Sequence, residues 1–538
     1  MRIVALTSYP GHQRNPSFSP DGNRIAFVWD GNQYNWDIYV KQIGKEKALR
    51  LTTDPATDDD PSWSPDGRYV AFRRDVEEKR GFRDEIYLVP AVGGAERKLV
   101  TVKFPPTSFA WSPDAKYLAY SDFRPNNSQT LFLLAIDSPQ DKRPLTTFVG
   151  QTRDIGPQFS PDGKTVAFVR VDGGRDIYLV PVAGGEPRRL TFDNAMFYGL
   201  NWTPDGDHII FCSDRQGGSP RLWKVSASGG QPEPLSVGQD VYYDYSLSRD
   251  GRRLAYTQTE FNTNIWRYEV SPAAGRSPPP TKWIASAGYN ASPQFSPDGK
   301  RVAFVSSRSG SLEIWICDSD GSNPRQLTFL GGRSAASPRW SPDGRKIAFQ
   351  SPATVGAPIY VVGAEGGQPR RLTTGRSKFA GPSWSRDGKW IYFGSDRTGS
   401  WQVWKVRPQG GHPVQVTKKG GTGGLESPDG KTFYYAKGLM APGLWKVPVE
   451  GGEETPVLKQ FWAAFFETWC LAREGIYFYN DDTGAIEFYS FATHKITRIA
   501  KPEKRGGDLS VSPDGRWILF AQVDQDTSHI MMVENFRW

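Results

Sequence analysis

The sequence predicts an all-β chain that folds as two tandem six-bladed β-propellers, with each blade a four-stranded antiparallel sheet. Three observations predict this fold: a turn motif that recurs in twelve copies, apolar alternation around each copy, and unpaired strands that divide the copies into two sets of six. The 538 residues suffice for two domains, and the 56 glycines and 42 prolines suit short strands and tight turns rather than long helices.

The recurring turn motif is usually an aromatic or other apolar residue followed by Ser-Pro-Asp-Gly or a close variant. Its twelve copies end at Gly22, Gly67, Ala115, Gly163, Gly206, Gly251, Gly299, Gly344, Gly388, Gly430, Gly475 and Gly515. Successive copies lie 40 to 48 residues apart, a spacing typical of a four-stranded propeller blade. Proline presets φ at the second turn position, aspartate suits the third, and glycine accepts the left-handed conformation. Each aspartate is therefore predicted to shape a turn rather than to carry chemistry.

The flanks of the motif supply the strands of each repeat. The strand after the motif has the apolar pattern of RIAFVW at 24–29 and RVAFVS at 301–306. A third strand follows, as in EIYLVP at 85–90, and a glycine pair such as 93–94 then turns the chain into a fourth strand that often ends in Leu-Thr.

The segment 271–280 (SPAAGRSPPP) divides the repeats, because its prolines and small residues are typical of a linker. A strand with the pattern of the fourth strand of a repeat, which we call a fourth-type strand, follows the linker as KWIASAG, and another begins the chain as RIVALTS. The chain ends on HIMMVENF, which has the pattern of a third strand and is called a third-type strand. Each half thus starts with an orphan fourth strand, which is predicted to close its own propeller and remove exposed sheet edges. The predicted domains are residues 1–275 and 276–538.

The Ser-Pro-Asp-Gly turn, the Ile-Ala-Phe strand, the glycine pair and the Leu-Thr strand together resemble the TolB-type propeller repeat, a relative of the WD repeat. The resemblance covers essentially the whole chain and is weakest at 453–508, where the motif becomes LAREG. The opening LTSYPGHQRNPSFSPDGNRIAFVWDG and the ending MMVENFRW most resemble the C-terminal propeller part of bacterial winged-helix regulators. These resemblances imply a non-catalytic scaffold or sensor that binds protein or small ligands.

Two other families that carry similar propellers imply an alternative, an enzyme acting at a central channel: the prolyl oligopeptidases and the oligogalacturonate lyases. The sequence has no Gly-x-Ser-x-Gly elbow and no Walker A loop. Its five histidines and three cysteines are scattered without metal-ligand spacing, although inner positions of distant repeats converge in a ring. We therefore predict no catalytic residue, no metal and no cofactor.

The charge and hydropathy of the sequence indicate which classes of partner and which compartment to expect. The formal charge of +8 arises from 66 basic and 58 acidic residues without a long basic block, which predicts no direct contact with nucleic acid. No apolar run is longer than the six residues of LFLLAI at 131–136, which is too short to span a bilayer, and no signal peptide is evident. As written, the sequence predicts a cytoplasmic chain, or a periplasmic one if it belongs to a longer membrane-anchored protein.

A protein or peptide is the predicted partner, with a small ligand as the second kind. The binding face is predicted to be the one with the fourth-to-first and second-to-third connections, because these vary while the turn motifs repeat. The predicted contact residues are Trp29, Tyr34, Trp36, Arg73, Arg74, Arg83, Tyr198, Tyr242 and Tyr243. For the arginines of the charged loop 73–85, the alternative is that they pair with the acidic loop 52–60. For the aromatic residues, the alternative is core packing.

Overall fold

The computed structural model describes the chain except for residues 32–34, 79–80, 103–108, 125–127, 148–151, 173, 193–194, 214, 216–219, 237–243, 271–277, 332, 353–355, 375–376, 439–440 and 460–466. The described residues form β-strands joined by turns and contain no helix, which confirms the predicted all-β class. The chain divides into two compact units: unit 1 is Met1–Glu260 with Asp526–Trp538, and unit 2 is Phe261–Gln525.

The strands of unit 1 are β1 (Arg2–Ala5), β2 (Gln13–Phe18), β3 (Arg24–Trp29), β4 (Asp37–Gln42), β5 (Ala48–Arg50), β6 (Thr57–Trp63), β7 (Tyr69–Glu78), β8 (Gly81–Pro90), β9 (Arg97–Val102), β10 (Phe109–Trp111), β11 (Tyr117–Phe123), β12 (Gln129–Ala135), β13 (Lys142–Pro144), β14 (Arg153–Phe159), β15 (Thr165–Val171), β16 (Arg175–Pro181), β17 (Arg188–Arg189), β18 (Phe197–Trp202), β19 (His208–Ser213), β20 (Arg221–Ser226), β21 (Glu233–Pro234) and β22 (Tyr245–Leu247). The long strand β23 (Arg253–Glu269) begins in unit 1 and ends in unit 2.

The strands of unit 2 are β24 (Thr281–Ile284), β25 (Asn290–Phe295), β26 (Arg301–Ser306), β27 (Glu313–Asp318), β28 (Arg325–Gln326), β29 (Ala336–Trp340), β30 (Lys346–Gln350), β31 (Ile359–Gly363), β32 (Gly366–Arg371), β33 (Phe379–Trp384), β34 (Ile391–Ser395), β35 (Gln402–Val406), β36 (Val414–Gln415), β37 (Gly423–Glu426), β38 (Thr432–Gly438), β39 (Ala441–Pro448), β40 (Thr455–Leu458), β41 (Trp469–Leu471), β42 (Gly475–Asn480), β43 (Ala485–Ser490), β44 (Ile496–Ala500) and β45 (Gly506–Val511). The long strand β46 (Trp517–Glu534) begins in unit 2 and ends in unit 1.

Successive groups of four strands form antiparallel sheets, as expected of propeller blades. In unit 1 we number them sheet 1 (β2–β5), sheet 2 (β6–β9), sheet 3 (β10–β13), sheet 4 (β14–β17) and sheet 5 (β18–β21); in unit 2, sheet 7 (β25–β28), sheet 8 (β29–β32), sheet 9 (β33–β36), sheet 10 (β37–β40) and sheet 11 (β41–β44). Sheets 3 and 4 are joined by one parallel pair, Gln129 with Arg153.

The remaining strands pair differently from the prediction that each half closes with its own first strand. Strand β1 pairs with the last part of β46, and β24 pairs with the second part of β23. In unit 1, sheet 6 thus contains β22, the first part of β23, the last part of β46 and β1; in unit 2, sheet 12 contains β45, the first part of β46, the second part of β23 and β24. Each orphan fourth strand pairs with the third-type strand from the other half of the sequence.

Because the third-type strands are exchanged between the halves, the boundaries of the two units differ from the predicted division between residues 275 and 276. Residues 261–275, predicted in the first domain, fall in the range of unit 2, and residues 526–538, predicted in the second domain, fall in unit 1. The two third-type strands have the same repeat position and similar apolar character, so the sequence pattern alone does not distinguish their partners. Most of the predicted linker, residues 271–277, lies outside the described residues.

The turn motif folds as predicted, with each aspartate fixed inside its own turn. In sheet 4, the Ser160 hydroxyl donates to Asp162 at 2.6 Å, and the backbone N–H groups of Lys164 and Thr165 donate to the Asp162 carboxylate and to the Ser160 oxygen at 3.0 Å. Gly163 closes the turn with φ of 71°. The hydrogen bond from Ser160 holds the pKa of Asp162 below its ordinary value.

In four sheets, a tryptophan before the motif fixes the sheet to the preceding one. The indole N–H of Trp202 in sheet 5 donates to the backbone oxygen of Gln158 in sheet 4 at 3.1 Å. The same bond recurs from Trp111, Trp340 and Trp384 at 3.0 to 3.1 Å. Fully buried phenylalanines of the second strands, such as Phe72 and Phe304, fill the clusters between adjacent sheets.

The packing continues from the last sheet of each unit back to its first. In unit 1, Phe27 of sheet 1 belongs to the same buried cluster as Ala255 and Ile530 of sheet 6. In unit 2, Val302 of sheet 7 shares a cluster with Leu519 of sheet 12. The first and sixth sheets of each unit thus bury apolar surface against each other.

Candidate functional site

A polar cavity of about 510 Å³ lies where the first strands of the six sheets of unit 1 approach one another. Each of sheets 1 to 6 contributes residues, through Asn15, Asp60, Phe109, Ile155, Tyr198 and Asp244 among others. This volume is within the range of small-molecule sites. The cavity is therefore the candidate site of unit 1.

A recurrent β-bulge shapes the strands that line this cavity. Among the described strands, it interrupts the pairing of the first and second strands in sheets 1, 2, 4, 5, 7, 8, 9 and 12. The residue at the bulge has a left-handed φ at Asn15, Asp60, Gly156, Gly199, Ser292, Ser337, Gly381 and Asp508. Bulges redirect side chains, and in sheets 1, 2, 7, 8 and 12 the residue at the bulge is polar, whereas in sheets 4, 5 and 9 it is glycine.

Sheet 2 supplies a compact cluster of charges beside the cavity. The Arg73 guanidinium donates to Asp59 at 3.1 Å, to Asp60 at 3.2 Å and to Asp84 at 2.8 Å. Arg14 of sheet 1 also donates to Asp59 at 2.8 Å. Burial and the neighbouring Asp59 raise the pKa of Asp60 above its ordinary value.

Asp244 of sheet 6 is the second acidic group on the cavity wall. Its carboxylate makes no hydrogen bond or ion pair with another residue that the structure describes, although it lines the same cavity as Asp60. Burial and the charge of Asp59 raise the pKa of Asp244 to about 6, against the weaker opposing effect of Arg14.

The predicted charged loop 73–85 is instead a hairpin of the long strands β7 and β8. Arg74 lies in β7 with a side chain only 7% exposed, and it donates to both oxygens of Asp58 at 2.7 and 2.8 Å and to Glu96 at 2.7 Å. Arg83 lies 3.1 Å from the Glu85 carboxylate. The pairing of these arginines with nearby acids, left open by the sequence, is what the structure shows.

The predicted aromatic contacts have different surroundings. Trp29 donates to the backbone oxygen of Pro10 at 2.8 Å and stacks on Tyr9 with ring centres 4.7 Å apart. The Arg14 guanidinium lies 3.9 Å from the ring centre of Trp36. Tyr198 lines the cavity. The predictions for Tyr34, Tyr242 and Tyr243 lie outside the described residues.

Sequence reasoning missed Asn15, Asp60 and Asp244, although a signal for them was present. Each lies three residues before the apolar residue that precedes its turn motif, and in the first two the next residue is proline. An alignment of the repeats on this position identifies Asp60 and Asp244 as equivalent residues, and equivalent residues of the first strands lie near the axis of a propeller.

Unit 2 carries a related group at the same repeat positions. Asp508 of sheet 12 accepts hydrogen bonds from the Ser292 backbone N–H at 2.9 Å and from its hydroxyl at 3.2 Å. Burial and the nearby Glu467 raise the pKa of Asp508. Arg339, which is 7% exposed, lies close enough to oppose this shift.

Metal ligands and cysteine thiols are the other candidate functional groups in the part of the chain that the structure describes. There, no group of three or more His, Cys, Asp and Glu side chains is placed to hold a metal ion. Burial raises the pKa of the Cys317 thiol to about 12, and that of Cys470 to about 12. The described residues also contain no helix with the length and hydropathy needed to cross a bilayer.

Comparisons with known proteins agree with the repeat. The family model described as the TolB beta propeller domain matches residues 2–104, 76–277, 280–358 and 329–442. A protein TolB homolog of Chlorobium luteolum is 30% identical over 257 residues, covering 48% of this chain and 57% of that protein. An uncharacterized protein of Agrobacterium fabrum is 26% identical over 220 residues, covering 40% of this chain and 56% of that protein.

Among solved structures, TolB from Acinetobacter baumannii is 19% identical, with 65% of this chain and 77% of that chain covered at a TM-score of 0.27. The chain spans just over half the length of the two curated relatives described above.

Proposed function

Because the chain belongs to the TolB beta propeller domain family, we propose that it is a non-catalytic scaffold whose unit 1 binds a protein or peptide at the cavity. The observation that carries the proposal is the convergence of six first strands on a polar cavity of about 510 Å³. A rigid frame that presents variable residues at one place is suited to recognition.

We propose that the sheets of each unit form one six-bladed propeller. The packing of sheet 6 against sheet 1, and of sheet 12 against sheet 7, supports this arrangement. Hydrogen bonds between the same sheets support it as well. The backbone N–H of Phe18 donates to the Ser246 hydroxyl, and the backbone N–H of Phe295 donates to the Ser510 hydroxyl, both at 3.2 Å. The cavity of unit 1 then lies on the propeller axis.

The resemblance of the chain ends to the propeller part of winged-helix regulators supports a more specific version, a sensory role in a bacterial regulator. An enzyme acting at the same cavity is the alternative. Its support is the pair of acidic groups Asp60 and Asp244, whose pKa values are raised towards neutrality, as in acid–base catalysts.

The test is a mapped capture experiment with extracts of the native host. Partners retained by the immobilised chain are compared with those retained by Tyr198→Ala and Asp244→Arg, which alter the cavity. Lys164→Ala and Arg345→Ala serve as controls, because these exposed residues directly follow the turn motif and do not line the cavity. We expect a specific partner to be lost with the cavity variants and kept with the controls.

Two results would contradict the scaffold. One is a partner that is lost with the turn-motif controls and kept with both cavity variants. The other is peptidase, esterase or pectate-lyase turnover by the purified chain that disappears in Asp244→Asn, which would establish the enzyme instead.

A further inference from the structure

Asp244 and Asp508 occupy the same repeat position in units 1 and 2. Each lies two residues before a serine, Ser246 or Ser510, whose hydroxyl accepts a backbone N–H from the first sheet of its unit at 3.2 Å. The two carboxylates are therefore set on equivalent strands, and any difference in their chemistry comes from the residues around them.

The partner at the neighbouring bulge differs between the units. In unit 2, Ser292 donates twice to the Asp508 carboxylate. Its counterpart in unit 1 is Asn15, whose amide nitrogen donates to Asp59 and Asp60 at 2.8 Å each. The amide hydrogens of Asn15 are thus used within the sheet 2 cluster, and the carboxylate of sheet 6 receives none of them.

The charges beside the cavity leave an excess of carboxylates. Asp59, Asp60 and Asp84 surround the guanidinium of Arg73, and Arg14 contacts Asp59. With the carboxylate of sheet 6 and the Arg175 guanidinium on the cavity wall included, four acids face three guanidinium groups. Two further observations describe the remaining wall: Arg175 of sheet 4 lines it, and apolar side chains from sheets 3 to 5 complete it.

Asp244 is half-buried, and withdrawing a carboxylate from water even in part without a partner costs free energy that a cationic ligand would recover. Burial accordingly raises the pKa of Asp244, and a bound cation would lower it again. The apolar wall, which includes Phe197 and Leu200, would hold the aliphatic part of a long side chain.

We propose that the cavity of unit 1 binds a cationic group of the partner, a lysine or arginine side chain or a free amine, with its charge against Asp244 and Asp60. This inference rests on the proposed function and specifies its ligand. The occupant is an organic cation with an aliphatic stem, because the wall combines carboxylates with apolar side chains.

The test measures the binding of three simple cations to the full chain by calorimetry: N-acetyl-lysinamide, N-acetyl-argininamide and glycinamide, which separate the two side chains from a free amine. N-acetyl-norleucinamide, which matches lysine without the charge, is the control probe. We expect at least one cation to bind about tenfold or more tightly than the control, and to weaken by a similar factor in Asp244→Asn.

The matched control variant is Asp508→Asn, at the same repeat position in unit 2, which is expected to leave binding unchanged. Wild-type affinity is also expected to fall between about pH 8 and about pH 5, as the cavity carboxyls take up protons. Asp244 has no described partner to lose, so Asp244→Asn is expected to fold, and the pH series provides a test without mutation.

Three outcomes would overturn the inference: no binding of any cation, equal binding of the norleucine control, or a loss of affinity in Asp508→Asn without one in Asp244→Asn. In each case, partner capture that still depends on Tyr198 would leave the proposed scaffold standing. Loss of cavity-dependent capture together with normal cation binding would instead contradict the scaffold and keep the cation site.

Discussion

Asp244 in unit 1 and Asp508 in unit 2 show how one repeat produces two chemistries. Both lie on the first strand of the last sheet, and burial raises the pKa of both. Asp508 is held by Ser292, whereas Asp244 faces a cavity because Asn15 is engaged by the acids of sheet 2. The repeat determines the position of the carboxylate. Whether that carboxylate accepts hydrogen bonds from sheet 1 depends on the acids of sheet 2, which engage Asn15.

The hydrogen-bond acceptors of arginine side chains also differ between the units. In unit 1, Arg170 donates to both oxygens of Asp154 at 2.7 and 2.8 Å, just as Arg74 does to Asp58. In unit 2, Asn290 stands at the repeat position of those aspartates, and Arg308 donates to its amide oxygen at 3.1 Å. Sheets 2 and 4 of unit 1 therefore bury an ion pair at this repeat position, whereas in sheet 7 of unit 2 the charged guanidinium donates to a neutral amide oxygen.

The largest expected effect comes from separating the units. Residues 261–525 form unit 2 as one continuous segment, so this fragment is expected to fold alone with a cooperative thermal transition. Residues 1–260 lack the last part of β46, which would leave Leu254 and Tyr256 without the packing of Val533 and Phe536, and this fragment is expected to remain unfolded.

Circular dichroism and thermal unfolding of both fragments test this contrast. Joining residue 260 to residue 526 through a short glycine linker supplies the missing strand and is expected to restore folding of unit 1. A fragment 1–260 that folds as stably as this joined version would contradict the exchange of strands.

Removing one partner of a buried ion pair is expected to have the next largest effect. Arg74→Ala leaves the buried Asp58 carboxylate uncompensated, so we expect the free energy of unfolding of unit 1 to fall by about 3–5 kcal/mol. Arg308→Ala loses charge-assisted hydrogen bonds to the neutral Asn290 and Ser306 and the ring contact with Trp315, but it leaves no buried charge uncompensated, and it is expected to cost only about 1.5–3 kcal/mol.

Urea unfolding of the two variants measures the difference, with Arg345→Ala as a surface control within about 0.5 kcal/mol of the wild type. Replacing Arg73, Arg74 and Arg83 together is also expected to lower stability, because Arg73 and Arg74 form ion pairs with the buried Asp84 and Asp58. Equal losses in Arg74→Ala and Arg308→Ala would remove the contrast between the units.

The carboxylates themselves provide the third comparison. Between about pH 4 and pH 6, folded Asp244 binds more protons than the unfolded chain, so its contribution to stability falls as pH rises. Asp244→Asn is therefore expected to raise the free energy of unfolding at neutral pH by about 1–3 kcal/mol and to flatten this slope.

Asp508→Asn is expected to gain less, because the substitution also weakens the two hydrogen bonds from Ser292. Urea unfolding of each variant across the pH series is the measurement. A larger gain in Asp508→Asn than in Asp244→Asn would contradict the difference in their surroundings.

The sequence predicted what the repeat determines locally and missed what depends on distant neighbours. The turn role of Asp162 follows from four adjacent residues, and the structure confirms it. The pairing of β1 with β46 joins residues more than 500 positions apart, and two third-type strands fit the pattern equally well. Asp244 matters through Asn15 and Asp59, which lie in other sheets, so the pattern of its own repeat did not identify it.

The smallest expected effect concerns His12, which joins the returning end of the chain to sheet 1 in unit 1. Its ring nitrogens lie 3.0 Å from Asp30 and 3.0 Å from Asp526. Burial lowers the pKa of His12, but the hydrogen bonds to Asp526 and Asp30 outweigh it, and the pKa is raised above 6.5. The stabilisation is therefore complete below pH 6.5 and is lost as pH rises through the raised pKa. We expect His12→Gln to lower the free energy of unfolding by about 1 kcal/mol or less on the acid side and by less still at alkaline pH. Urea unfolding at several pH values measures this, with the exposed His412→Gln as control; a deficit that grows with pH would contradict the ion pairs.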